Sequence, residues 1–133
     1  MAAWALGDSS TIWHSYRDLD GPDTAGGFEG YGLFAADETA RPVAYSMQLL
    51  TSELLPFVSA TDATESGTEE YRYRIASADG SVHWVVWGTG DIAVPSGMTE
   101  MTSVYPNADG TFTWTPVSSG ASLTLGDTPV LLR

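Results

Sequence analysis

The period of polar and apolar positions changes along this chain, and the changes mark its elements. Residues 10–17, STIWHSYR, are β-branched and aromatic between Gly7 and Gly21-Pro22, which predicts a strand. Residues 2–6 read as the last turn of a helix stopped by Gly7. Residues 18–30 are glycine-rich and predict a loop, YGLF after them a short extended piece, and AADETA a turn. A helical period then runs over about residues 41–55. Val43, Met47, Leu50 and Leu54 share one face, Pro42 sits in the first turn where its missing N–H costs nothing, and Pro56 ends the run. Tyr45 and Met47 read as core packing.

Beyond this helix the small, polar, acidic stretch SATDATESGTE predicts a linker, and everything after it has strand character. EYRYRIAS alternates, with Tyr71, Tyr73 and Ile75 on one face and Arg72 and Arg74 on the other. ADG predicts a tight turn into SVHWVVWG, which is apolar almost throughout, as in a strand covered on both faces. Within it Trp84 and Trp87 have opposite parity and point to opposite faces. DIAVPSG, MTEMTSVYP, TFTWTPV and ASLTLGDTPVLLR supply further short strands with turns between them, NADG among these. Such spacing predicts a mainly β fold, an antiparallel β-sandwich preceded by a strand-loop-helix segment. The expected division is a segment over 1–57, a linker over 58–69 and a sandwich domain over 70–133.

Composition narrows the chemistry. A chain of 133 residues, 43% hydrophobic and with five tryptophans, can fill one core. Cysteine is absent, which excludes disulfides, thiolate metal sites and a cysteine nucleophile. Lysine is absent too, so the only cations besides histidine are Arg17, Arg41, Arg72, Arg74 and Arg133. The net charge of −12 repels phosphates and anionic lipid, which argues against nucleic acid and membrane partners. MAAWALGDSS has neither the basic nor the apolar region of a signal peptide, and no apolar run reaches membrane-spanning length.

The strand IWHSYRD, the loop, GYGLFAADETARPVAYSMQLL and a β-rich tail closing in LTLGDTPVLL together resemble the C-terminal end of a (β/α)8-barrel glycoside hydrolase. Gly32, Leu33, Asp37, Arg41, Pro42 and Tyr45 occupy the pattern that opens the last barrel helix in such enzymes, and Thr128-Pro129-Val130-Leu131 resembles their closing strand. The chain departs from the pattern at Glu38, where glycine is usual, and at Val43, which precedes Ala44. The resemblance implies that residues 1–57 correspond to the last barrel strand and helix. It also implies that the two catalytic carboxylates belong to barrel strands upstream of Met1. By the same resemblance Trp13 is the candidate floor of a sugar subsite.

Glycoside hydrolysis needs two carboxyl groups, and the best pair readable here is Asp18 and Glu29, flanking the loop at the end of the predicted strand. The bland alternative is that Asp18 pairs with Arg17 or a backbone amide and Glu29 is solvated. Trp13, His14, Tyr16 and Arg17 are the candidate substrate-binding residues beside that pair. The two histidines, His14 and His83, have no metal-ligand spacing, and His83 reads as a strand histidine with a satisfied hydrogen bond. No G-x-S-x-G elbow and no phosphate loop is present, and no cofactor or metal is expected. The leading expectation is a non-catalytic C-terminal module with a structural or carbohydrate-associated role, inactive alone. The alternatives are a small glycosidase using the 11–34 loop and a carbohydrate-binding module using Trp13, Trp84, Trp87 or Trp114. Residues 10–57, with a strand edge and an apolar helix face, suggest a homo-oligomer.

Overall fold

The computed structural model describes residues 32–133. Within them a helix, α1 (Pro42–Leu54), precedes eight strands. These are β1 (Phe57–Asp62), β2 (Glu70–Ser77), β3 (Val82–Gly88), β4 (Gly90–Ala93), β5 (Glu100–Ser103), β6 (Thr115–Pro116), β7 (Ser122–Leu125) and β8 (Val130–Leu132). Six of them form one sheet in the order β1-β2-β3-β8-β5-β6, and β4 and β7 form a second. Every pairing is antiparallel. The fold is therefore mainly β, with a large and a small antiparallel sheet following a helix, as the strand spacing predicts.

The alternation of side chains along β3 and β8 builds two cores. Val85 and Leu131 join Ile75 of β2 and Leu49 and Leu54 of α1 on one face of the large sheet. Val86 and Leu132 join Ile92, Val94, Met98 and Leu125 on the other, under the small sheet. This accounts for the nearly unbroken apolar run of SVHWVVWG, since β3 is central and covered on both sides. Trp84 and Trp87 pack against opposite cores, as their parity requires. Leu54, Ile75, Val86, Leu131 and Leu132 lose essentially all contact with water, each contributing about 1.5–3 kcal/mol.

The helix follows its expected bounds closely, with Pro42 in the first turn, but its buried face is rotated. Leu49 and Leu54 are buried and Leu50 packs beside them, while Val43 and Met47 remain half-exposed. Ser46 lies on the sheet side, donating its hydroxyl to the Val104 carbonyl at 2.7 Å, and so does Glu53 through Arg133. Polar residues at 46 and 53 within the docking stripe broke the apolar pattern and displaced the expected face. Tyr45 packs as expected, its ring lying where a Cβ on Gly110 would stand, 2.5 Å from that position. Gly110 has a φ of 80°, so a side chain there would be both crowded and strained.

Residues 58–69, expected to be a linker, open instead with most of β1. This edge strand turns only Phe57 and Ala60 toward the core, so its sequence shows no strong apolar alternation. A register shift between Phe57 and Ser59 interrupts its pairing with β2. In TFTWTPV, regular pairing is confined to Thr115–Pro116, yet Phe112 and Trp114 both join the core under α1.

One turn device recurs. Asp37, Asp62, Asp79 and Asp109 each accept a hydrogen bond from the backbone N–H two residues on, at Thr39, Thr64, Ser81 and Thr111. Each fixes a D-x-(S/T) turn, two of them within the ADG and NADG stretches read as turns.

Candidate functional site

Asp18, Glu29, Trp13, His14, Tyr16 and Arg17 lie outside the described residues, as does the strand expected over 10–17. The polar chemistry that the described residues assemble lies elsewhere, at the C-terminal end of α1, and none of it forms a group of three His, Asp or Glu able to hold a metal ion.

Arg133, following β8, projects onto the helix side of the large sheet. Its Nη1 donates to both oxygens of Glu53, at 2.9 and 3.0 Å, and its Nε and Nη2 donate to Oε2 of Glu100 at 3.1 and 3.0 Å. The guanidinium lies over the Trp114 ring, 3.7 Å from its centroid. Burial works against the Arg133 charge, but the hydrogen bonds to Glu53 and Glu100 outweigh it and hold the guanidinium above its usual range. A planar donor fork is suited to this bridging, which ties α1, β5 and β8 together.

His83 of β3 lies beside this bridge. Its Nε2 is 3.9 Å from Oε2 of Glu53, and the residue is only 6% exposed. Its Nδ1 is buried with no hydrogen-bond partner. Burial pushes the imidazole below its usual range, and Arg133 adds to this, against the opposing pull of Glu53 and Asp79. His83 lies in a strand as expected, but the satisfied hydrogen bond expected with it is missing at Nδ1.

A second gathering of acids has the same character. Arg72 pairs through Nη2 with the buried Glu70 at 2.5 Å and stands 3.4 Å from the exposed Glu65 through Nη1. In both places carboxylates converge on a guanidinium, an arrangement that fastens chain segments.

The aromatic residues are mostly absorbed by packing. Trp87 stacks with Tyr71 at 5.0 Å and 17° and with Tyr73 at 5.5 Å and 19°. Its ring faces are thus largely covered by protein. Trp84 and Trp114 pack against the two cores. Tyr105 is different: it is 62% exposed and lines a groove of about 360 Å³ beside α1. Half-buried Val43, Ser46, Val104 and Pro129 and exposed Asp127 and Thr128 complete that groove.

Sequence reasoning missed Glu53, Glu100 and Arg133 as a unit because Arg133 is separated from Glu53 by 80 positions and from Glu100 by 33. The one available signal was Glu53 itself, a carboxylate within the stripe that Leu49, Leu50 and Leu54 define. Tyr105 stood in a strand reading and carried no signal of exposure. Compared with known proteins, the chain matches no family model and no curated protein.

Proposed function

We propose that this chain is a non-catalytic C-terminal module of glycoside-hydrolase lineage, a scaffold in which a helix of barrel type is fastened onto a β-domain. The observation that carries the reading is the shared core of α1 and the large sheet. Leu49 and Leu54 pack with Ile75, Val85 and Leu131, and Arg133 locks Glu53 to Glu100 beside them. Helix and sheet thus behave as one unit, as expected for the junction between a barrel's last helix and a following sandwich. Glu38 adds support. Its φ is 68°, the left-handed conformation that glycine adopts without strain, and glycine is the residue usual there in the pattern the chain resembles. The arginine-bound carboxylates at both acid clusters favour a structural role over catalysis.

The test is turnover. The purified chain is expected to release nothing from aryl-glycosides or common polysaccharides. Hydrolysis abolished by Asp18→Asn or Glu29→Gln would overturn the reading in favour of a small glycosidase.

A second reading, carbohydrate binding, is favoured by one feature, the Tyr105 groove. An exposed aromatic ring beside a carboxylate and a hydroxyl suits a neutral sugar, whose apolar face stacks while its hydroxyls bond. The packed state of Trp84, Trp87 and Trp114 weighs against a tryptophan platform. Affinity electrophoresis in cellulose-, xylan- and mannan-derived gels, with Tyr105→Ala as control, tests it: retardation lost in the variant supports binding at this groove. The expected homo-oligomer through residues 10–57 has a narrower motive in α1, because Leu49, Leu50 and Leu54 are packed within the chain while Val43 and Met47 stay half-exposed. Light scattering tests what remains of it, and a monomer would remove that part of the proposal.

A further inference from the structure

The bridge at the end of α1 holds a buried titratable group that no part of the scaffold reading uses. We infer that His83 and Glu53 form an acid-sensitive latch: α1 stays seated on the large sheet while the imidazole is neutral and loosens when it takes up a proton. The inference goes beyond the module's lineage and does not depend on it.

Three observations carry it. First, His83 is buried on the face where α1 docks, with Nε2 3.9 Å from Oε2 of Glu53. Second, both Glu53 oxygens already accept from Arg133, so the negative charge nearest the imidazole is matched by another cation. Third, Nδ1 has no partner. In the neutral ring Nδ1 can remain a bare acceptor. In the imidazolium both nitrogens carry hydrogen, so an N–H would be buried without an acceptor, which is the more costly orphan. Among the described residues, the charged groups facing the imidazole are Glu53 from α1, Asp79 from the β2–β3 turn and Arg133 after β8. Burial and Arg133 oppose protonation, and they outweigh the two carboxylates.

The way to relieve a buried imidazolium is to let water reach it, and the element that covers it is α1. Glu53 attracts the imidazolium, but both its oxygens already accept from Arg133, so it does not replace the water that burial removes. Leu54 lies in the same turn of the helix, and its carbonyl accepts from Ser77 Oγ at 3.4 Å, a long bond that resists separation weakly. The sign is fixed by the direction of the shift. The folded form binds the proton less readily than the unfolded one, so the seat of α1 is firm above the ordinary histidine range and weakens as pH falls through it.

Hydrogen exchange at single-amide resolution tests the latch, comparing protection factors at pH 7.5 and 5.5. The chain has two histidines, so His14→Gln serves as the control and His83→Gln as the probe. Protection across residues 46–54 is expected to fall several-fold at the lower pH in the wild type and in His14→Gln, and to stay level in His83→Gln, while β2 and β3 amides hold. An equal loss in His83→Gln, or a loss spread evenly over β2, β3 and β8, overturns the inference. Should His83→Gln fail to fold, imidazole proton shifts in the wild type decide the matter. Titration below the free-histidine value in step with loss of α1 protection supports the latch, and titration at that value with α1 unchanged refutes it.

Discussion

Replacing Arg133 by methionine removes a charge from the centre of the bridge while keeping an apolar stem over Trp114. The loss can be worked from the contacts. Glu53, with a side chain 21% exposed, accepts two hydrogen bonds from Nη1, and a charge-assisted contact of that burial contributes about 1.5 kcal/mol. Glu100, 41% exposed, behaves nearer to a surface pair and adds about 0.5 kcal/mol. The guanidinium over Trp114 adds a further ~0.5 kcal/mol at this exposure. Together these predict a destabilisation of about 2.5 kcal/mol for Arg133→Met, read as a shift in urea midpoint at constant slope. Double-mutant cycles separate the parts. Coupling of Arg133 with Glu53 (through Glu53→Gln) is expected at about 1–1.5 kcal/mol, and with Glu100 (through Glu100→Gln) at about 0.5 kcal/mol. In 1 M NaCl, where screening acts over about 3 Å, the Glu100 coupling should fall toward zero while most of the Glu53 coupling survives. Equal couplings, or a total loss below about 1 kcal/mol, would refute the claim that this bridge fastens the helix.

Four further outcomes are expected. Leu54→Ala, at a fully buried position between helix and sheet, should cost about 2–5 kcal/mol in the same urea assay, depending on how far the site collapses. Gly88→Ala should cost about 2–3 kcal/mol, because φ is 120° and the new methyl would stand 2.2 Å from the Glu69 carbonyl oxygen. At Glu38 the order should be Gly above Glu above Val. Glycine relieves a left-handed strain of about 1–2 kcal/mol at an entropic cost of about 0.5–1 kcal/mol, whereas a β-branched residue adds strain. The turn aspartates Asp37, Asp62, Asp79 and Asp109 are held below their ordinary value of 3.8 by hydrogen bonds from the Thr or Ser two residues on. Their contribution is therefore full above that value and is lost as pH falls through the lowered one, so Asp79→Ala or Asp109→Ala should flatten the acid limb of a stability–pH profile measured by circular dichroism.

Several features of this protein were decided by the sequence alone. Period-two alternation in EYRYRIAS needs no partner to separate Tyr73 and Ile75 from Arg72 and Arg74. The apolar run in SVHWVVWG already required cover on both faces of a strand. Pro42 and Pro56 bound the helix through backbone constraints that act within a few residues. The D-x-(S/T) turns are likewise local, each closing over two residues. Fold class follows from such short-range facts, because alternation and turn chemistry are properties of neighbouring positions.

The tertiary structure decided what depends on residues far apart in the chain. Nothing near Ser46 announces that it faces the sheet, and Glu53 shows only its place in the leucine stripe, not the partner that holds it there. Ser46 is there because Val104 offers a carbonyl, and Glu53 because Arg133 offers a guanidinium. The edge strand β1 was illegible for a related reason: an edge needs one thin apolar face, and β2 supplies the remaining order. Exposure was decided in the same way. Trp87 and Tyr105 look alike as strand aromatics, yet Trp87 stacks with Tyr71 and Tyr73 while Tyr105 stands in the open. Charge and burial compete over distances of a few ångströms in space, and that distance has no counterpart along the chain until the strands have paired.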